Sequence, residues 1–262
     1  MHPSLEAVAL VPALALFYAL VVKPRGSRAV AATAGIALIF ASFFTTLQPL
    51  ATHTFLWAHL LQNVVLAEWA PALLVVAIPS DRFRTVRVPM LPALALWLAT
   101  YFVWHLPWVY DAALRRQHWL LHIEHVTYLV AGVALWWPIV RGTQNAGAKA
   151  LYLFAAFVLA SPLGLVLALI PKPVYDFYAH APRTWGPRPL ADQQIAGVTM
   201  ALEQAAVFFA VFALYLSRFL QEEQRDPELF RGSQPSGEMT ARYAARDAGF
   251  DARSNTEPGL PP

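Results

Sequence analysis

The chain has 262 residues, 58% of them hydrophobic and 13% charged, with a mean hydropathy of +0.46. A soluble domain carries about 25% charged residues, so this balance excludes a soluble globular protein and predicts a polytopic, all-α membrane protein. With no cysteine there are no disulfides, thiolate metal sites or cysteine nucleophiles. The net charge of +3 comes from basic residues in short loops between apolar runs, where they act as topology signals and not as a nucleic-acid footprint.

Crossing the hydrocarbon takes roughly 20 mainly apolar residues. In chain order the candidate spans are Leu5 to Val22, Ala29 to Leu47, Thr54 to Ile78, Val88 to Trp104, Trp119 to Val140, Ala150 to Ile170, and Ile195 to Leu216, a seven-helix bundle. No cleavable signal peptide is expected, because no basic region precedes the first apolar run. Pro71 in the third span and Pro162 in the sixth are expected to kink or break their helices.

Lysine and arginine set the orientation. Lys23, Arg25, Arg28, Arg82, Arg84, Arg87, Arg141 and Lys149 fall in the odd-numbered loops. The longer even-numbered loops hold fewer: Arg115, Arg116, Lys172, Arg183 and Arg188. The positive-inside rule then places the N-terminus outside and the C-terminus in the cytoplasm, as expected for a multi-pass membrane protein. Residues 1–220 make the spanning domain. From 221 to 262 the composition turns polar and rich in Pro, Gly, Ser and Arg, which predicts a disordered cytoplasmic tail with at most a short helix at Ala244 to Phe250.

With this threading all eight histidines lie on the outer side: His2, His53, His59, His105, His118, His122, His125 and His180. Imidazole is costly near hydrocarbon without a partner, and it is the commonest metal-ligating side chain. The spacing of His118, His122 and His125 puts three rings on one helical face, a pattern typical of metal or haem ligation by helices. It also suits an interfacial helix start with rings at headgroup level. Glu124, about 100° round the helix from His125, is a poorer direct ligand. It reads equally well as a partner fixing a histidine tautomer on a neighbouring helix or as a structural hydrogen bonder.

His59 lies inside the third span with Asn63 one turn deeper on the same face. His53 and His180 are loop residues on the margin, as is His2. His105, Pro107, Tyr110 and Asp111 close the fourth span, because proline stops the helix there. The loop from Pro171 to Gln194 is rich in aromatics and prolines, which predicts a rigid lid over the outer mouth. Asp192 is expected to cap the last span at its own N-terminus. Glu68 and Glu203 lie deeper and suit structural hydrogen bonds better than a proton path. Met200 is too deep for the outer cluster.

Several elements together carry a resemblance: His59-Leu-Leu-Gln62 with the apolar run to Pro71, His105-Leu-Pro107 with Tyr110-Asp111, and His122-Ile-Glu124-His125 leading to Trp136-Trp137-Pro138. Tyr175 to Tyr178, Trp185-Gly186, Pro189-Leu190, Asp192-Gln193-Gln194 and Gly197 complete it. The chain resembles the multi-span CtaG family of cytochrome c oxidase assembly factors associated with caa-type oxidases. The lack of cysteine separates it from the single-span copper chaperone that shares the name. The resemblance implies a non-enzymatic role in maturing the copper-bearing subunit of a haem–copper oxidase, with that oxidase or a periplasmic copper chaperone as partner. Copper is implied by the resemblance, with His59, His105, His122 and His125 as ligands. Where the family commonly has a second histidine in the third span, this chain has Asn63. Bis-histidine haem binding is the alternative, and a zinc hydrolase with Glu124 as base is a third reading.

Overall fold

The computed structural model describes residues 6–115 and 118–225. His2, Arg116 and the tail beyond Arg225, with the short helix expected at Ala244 to Phe250, lie outside the described residues. Two compact units divide the chain, Met1–Leu216 and Ser217–Pro262. The second is described only where helix continues from residue 217 to 225.

Among the described residues the structure is helical, with no strand. We number the helices α1 (residues 6–22), α2 (Ser27–Phe44), α3 (Leu47–His53), α4 (Leu56–Ala77) and α5 (Met90–Trp104). They continue as α6 (Pro107–Arg115), α7 (His118–Arg141), α8 (Ala146–Leu169), α9 (Asp176–His180) and α10 (Pro189–Arg225). Each expected span falls on helix with ends a few residues from those read from hydropathy, except the last, which runs Pro189–Arg225 and not Ile195 to Leu216. Five of them, α2, α4, α7, α8 and α10, are long and apolar enough to cross a membrane. The pair α5 and α6, bent by 67° at His105–Leu106, makes a sixth candidate, and α1 is a shorter apolar helix.

α4 is the axis of the bundle: 72% of its spanning window is buried, against 28% for α2 and for α10. α2 packs on its second half, α7 lies along it, and α5 packs on α7. Pro71 leaves its mark inside α4. Proline offers no N–H to the carbonyl of residue 67 and crowds it, and a π-turn at Val65–Trp69 absorbs the mismatch just before it. Gly132 of α7 closes on this weakened turn, and a Cβ there would stand 2.3 Å from the Ala67 oxygen and 2.6 Å from Pro71 Cγ. Pro162 has a different outcome, since α8 runs through it unbroken. Small residues bring α8 and α10 together as well, with a Cβ on Gly197 meeting the Gly164 oxygen at 2.6 Å.

The starts of α1, α4, α7 and α10 and the ends of α2, α5 and α8 meet at one end of the bundle. At the opposite end Arg141 donates to the carbonyls of Ile78, Pro79, Ser80 and Arg82. Trp137 Nε1 donates to Val86 O at 3.3 Å and Lys149 Nζ to Gly142 O at 2.9 Å. Asn145 caps α8 there, accepting from Ala148 N at 2.8 Å.

Candidate functional site

Four elements bring the site together. His59 stands one turn into α4, His105 at the break between α5 and α6, and His122, Glu124 and His125 in the first two turns of α7. His59, His105, Glu124 and His125 are buried and His122 is half-buried. His118 begins α7, but its side chain lies outside the described residues. His53 and His180 are not loop residues but the exposed last residues of α3 and α9, where they bond to nearby groups of those helices.

The hydrogen bonds decide which ring nitrogen is free. Glu6 Oε1 lies 2.6 Å from His122 Nδ1 and 2.7 Å from His125 Nδ1. A carboxylate only accepts, so both rings are protonated at Nδ1. His105 Nδ1 donates to the Tyr101 carbonyl at 2.7 Å, and carbonyls likewise only accept. His59 Nδ1 lies 2.8 Å from the Tyr178 hydroxyl, which donates its single proton to the Ala51 carbonyl. The imidazole is therefore the donor to Tyr178. Burial of Tyr178, aided by the nearby Glu124 charge, holds its phenol well above the usual range, so that proton stays on.

Each of these four rings thus turns Nε2 away from its hydrogen-bonded edge. The Nε2 atoms of His59, His105 and His125 are buried without a hydrogen-bond partner. Glu124 faces this group from α7: Oε1 accepts from Asn63 Nδ2 at 2.8 Å and lies 3.5 Å from His59 Nε2. Two open readings of Glu124 meet here, because it bonds a neighbouring helix and stands against a histidine there. Asn63 serves as its donor, while Asn63 Oδ1 is buried and unpartnered.

Aromatic rings wall the group. The His59 ring centroid is 4.9 Å from Tyr110, 6.3 Å from Tyr178 and 6.4 Å from His125, and Phe43 lies 5.0 Å from His125. The Tyr110 ring in turn lies tilted 4.3 Å from that of Tyr175, whose hydroxyl donates to His105 O at 3.2 Å. Among the described residues, no group of three or more histidine, aspartate or glutamate side chains is arranged to hold a metal ion. What the cluster does offer is imidazole lone pairs, each oriented by a bond on the far side of its ring. That arrangement is the usual setting of a metal-ligating histidine.

Two expected roles change. Asp192 does not cap its own helix. It lies in the first turn of α10 and reaches across to α4, accepting from Leu56 N at 2.9 Å and Trp57 N at 3.1 Å. Arg183 Nη2 completes the carboxylate at 2.8 Å. The reason is where the unpaired donors are: α4 starts at the buried Phe55, whose side chain cannot cap, so its first N–H groups need an outside acceptor. Asp111 likewise lies outside the cluster and caps α9, accepting from Asp176 N at 3.1 Å and Phe177 N at 2.8 Å. The segment between α8 and α10 is more than a lid, since it sends Tyr178 into the site. It is stitched down by Gln193, which accepts from Val174 N at 2.6 Å, and by Gly186, where a Cβ would meet Phe55 Cζ at 2.6 Å.

Glu6 and Tyr178 escaped the sequence reading. Glu6 had a signal, being the one carboxylate in an apolar first segment. Tyr178 sits in an aromatic segment, and nothing local pairs it with a residue 119 positions away.

A bundle of apolar helices of spanning length with a buried imidazole–carboxylate cluster at one end defines a helical membrane protein. The chain belongs to the cytochrome c oxidase caa3 assembly factor family (Caa3_CtaG), whose model matches residues 14–222. No curated protein and no solved structure matches it. The matched range takes in His59, His105, His122, Glu124 and His125 but stops short of Glu6.

Proposed function

We propose that the chain serves assembly of a haem–copper oxidase by holding copper as cargo on the imidazoles of His59, His122 and His125, with His105 beside them, and passing it to the copper-bearing subunit. In this reading the bundle crosses a bacterial cytoplasmic membrane seven times, with α1 and the bent α5–α6 pair as spans. The N-terminus is outside, the histidine end faces the periplasmic side, and no reaction is catalysed.

One observation carries the copper reading. His59 Nε2 stands 3.5 Å from the Glu124 carboxylate, while Nδ1 is engaged with the Tyr178 hydroxyl. A lone pair facing a buried anion is repulsive unless a second proton or a cation sits between them. A metal ion on Nε2 relieves that repulsion and also gives the unpartnered His125 Nε2 something to bind. Imidazole suits copper, zinc, iron and nickel alike, and a role in assembling a haem–copper oxidase is the ground for reading the ion as copper. A cluster without a closed set of ligands suits an ion that must leave again, whereas permanent structural sites close four ligands around the metal.

The haem alternative is less well supported. Tyr110, Tyr178 and Phe43 pack against the flanks of His59 and His125, where a porphyrin would have to lie.

The test is the copper content of purified protein. His122→Ala combined with His125→Ala should lower bound copper at least tenfold while the helical circular dichroism is kept. Unchanged copper in the folded double variant would refute the ligand assignment, and a Soret band in protein made with ample haem would favour haem instead.

A further inference from the structure

α1 and α2, joined by residues 23–26, leave between them a groove of about 520 Å³ on the outside of the bundle. Small side chains shape it. Ala15 and Ala19 on α1 and Thr33 and Ala37 on α2 line it and are exposed, each pair four residues apart on one helical face. Its mouth is the connection, at the Arg141 end of the bundle, where Phe17 of α1 also stacks on Phe83 at 6.2 Å.

The length of the groove fits one leaflet. From Ala29, beside the connection, to Phe40 the lining climbs α2 by about 16 Å at 1.5 Å per residue. The hydrocarbon core is about 30 Å thick, so the groove runs from the membrane surface to about the middle. A partner's spanning helix would need a track along the full thickness, whereas an acyl chain hangs from its headgroup to this depth. Hydrocarbon alone confers no selectivity, because lipid tails are as apolar as the groove. The mouth does. Lys23 lines it, and Arg25 and Arg28 belong to the same short stretch. None of the three has an acidic partner among the described residues. Uncompensated cations at the end of a cleft between spanning helices attract an anionic headgroup and gain nothing from a zwitterionic one.

We propose that the α1–α2 groove binds an anionic phospholipid, with one acyl chain along Ala15, Ala19, Thr33 and Ala37 and the phosphate held by Lys23 and its neighbouring arginines. In the topology proposed above the lipid belongs to the cytoplasmic leaflet. It adds to the anchorage of α1, whose opposite end supplies Glu6 to the histidine site.

The experiment uses the full chain in detergent, with phosphatidylglycerol or phosphatidylcholine of matched acyl chains added and bound lipid counted by native mass spectrometry. Wild-type protein should retain one phosphatidylglycerol about tenfold better than phosphatidylcholine, as three cations near a headgroup allow, and should melt at a higher temperature with it. Lys23→Gln combined with Arg28→Gln should abolish that preference. Thr33→Leu combined with Ala37→Leu fills the groove and leaves the charges in place. This pair should lose the lipid while helical circular dichroism and copper content stay as in wild type. Equal retention of both lipids, phosphatidylglycerol that survives the filled groove, or its displacement by inorganic phosphate overturns the proposal. So does a dimer that the Thr33→Leu, Ala37→Leu pair breaks, because the groove would then belong to a second copy of the chain.

Discussion

The two ends of the bundle treat buried polar groups in opposite ways. At the Arg141 end the guanidinium goes to four carbonyls of one connection, Trp137 and Lys149 each bond a carbonyl, and Asn145 caps its own helix. Every one of those bonds ties side chain to backbone and closes a loop. The histidine end has such anchors too, among them Asp192 and Asp111 on backbone N–H groups, but there Glu6 also bonds His122 and His125, Glu124 bonds Asn63, and three Nε2 atoms are left over. Saturated polar groups fix a structure, whereas oriented but unsaturated ones are held ready for something that binds. One end is anchorage and the other is a site.

The largest expected effect that tests this contrast comes from Glu6→Gln. Glu6 orients both His122 and His125, and removing such a partner typically costs 10- to 100-fold in metal affinity. Titration against a competing copper chelator should show a loss in that range with the melting temperature nearly unchanged. If affinity stays put while stability falls, Glu6 is an anchor and the contrast between the ends collapses.

Asp192→Asn should act on the fold instead. Charge-assisted bonds contribute roughly 1.5–3 kcal/mol each, and Asp192 accepts one from Arg183 and one from each of two α4 N–H groups. Thermal unfolding in detergent should report a loss of about 2 kcal/mol or more. Because α4 carries His59, a several-fold loss of copper should accompany it. Arg141→Met should lower stability by about 1–3 kcal/mol and leave copper binding alone. Weaker copper binding in that variant would show the two ends to be coupled. The smallest effect belongs to Asp111→Ala, which removes the cap of the five-residue helix α9 and should cost about 1 kcal/mol, read most directly as faster amide exchange at Asp176 and Phe177.

Much of this was legible in the sequence because it is local. Apolar runs of spanning length became helices, Pro107 ended α5 near His105, and the spacing of His122 and His125 placed both rings on one face of α7, where they share Glu6. The angle of Glu124 to His125 set it apart as a poorer direct ligand but left its partner open, and the fold supplies Asn63. Pro71 was recognisable as a point of strain, but its resolution as a π-turn against Gly132 was not, since that depends on which helix happens to lie across the freed carbonyl. Asp192 shows the limit most clearly. A carboxylate near a helix start reads as the cap of that helix, yet it serves a helix 136 residues earlier, because α4 has no polar residue at its own start.

By itself, then, the sequence determined the helices, the membrane class and the gathering of histidines at one end, since hydropathy and helical period act over a few residues at a time. Only the tertiary structure decided which nitrogen of each imidazole is free. That choice depends on Glu6, Tyr178 and Tyr101, the acceptors that folding delivers to the rings, and on the Ala51 carbonyl that takes the Tyr178 proton; Tyr101 aside, no local pattern could have paired them.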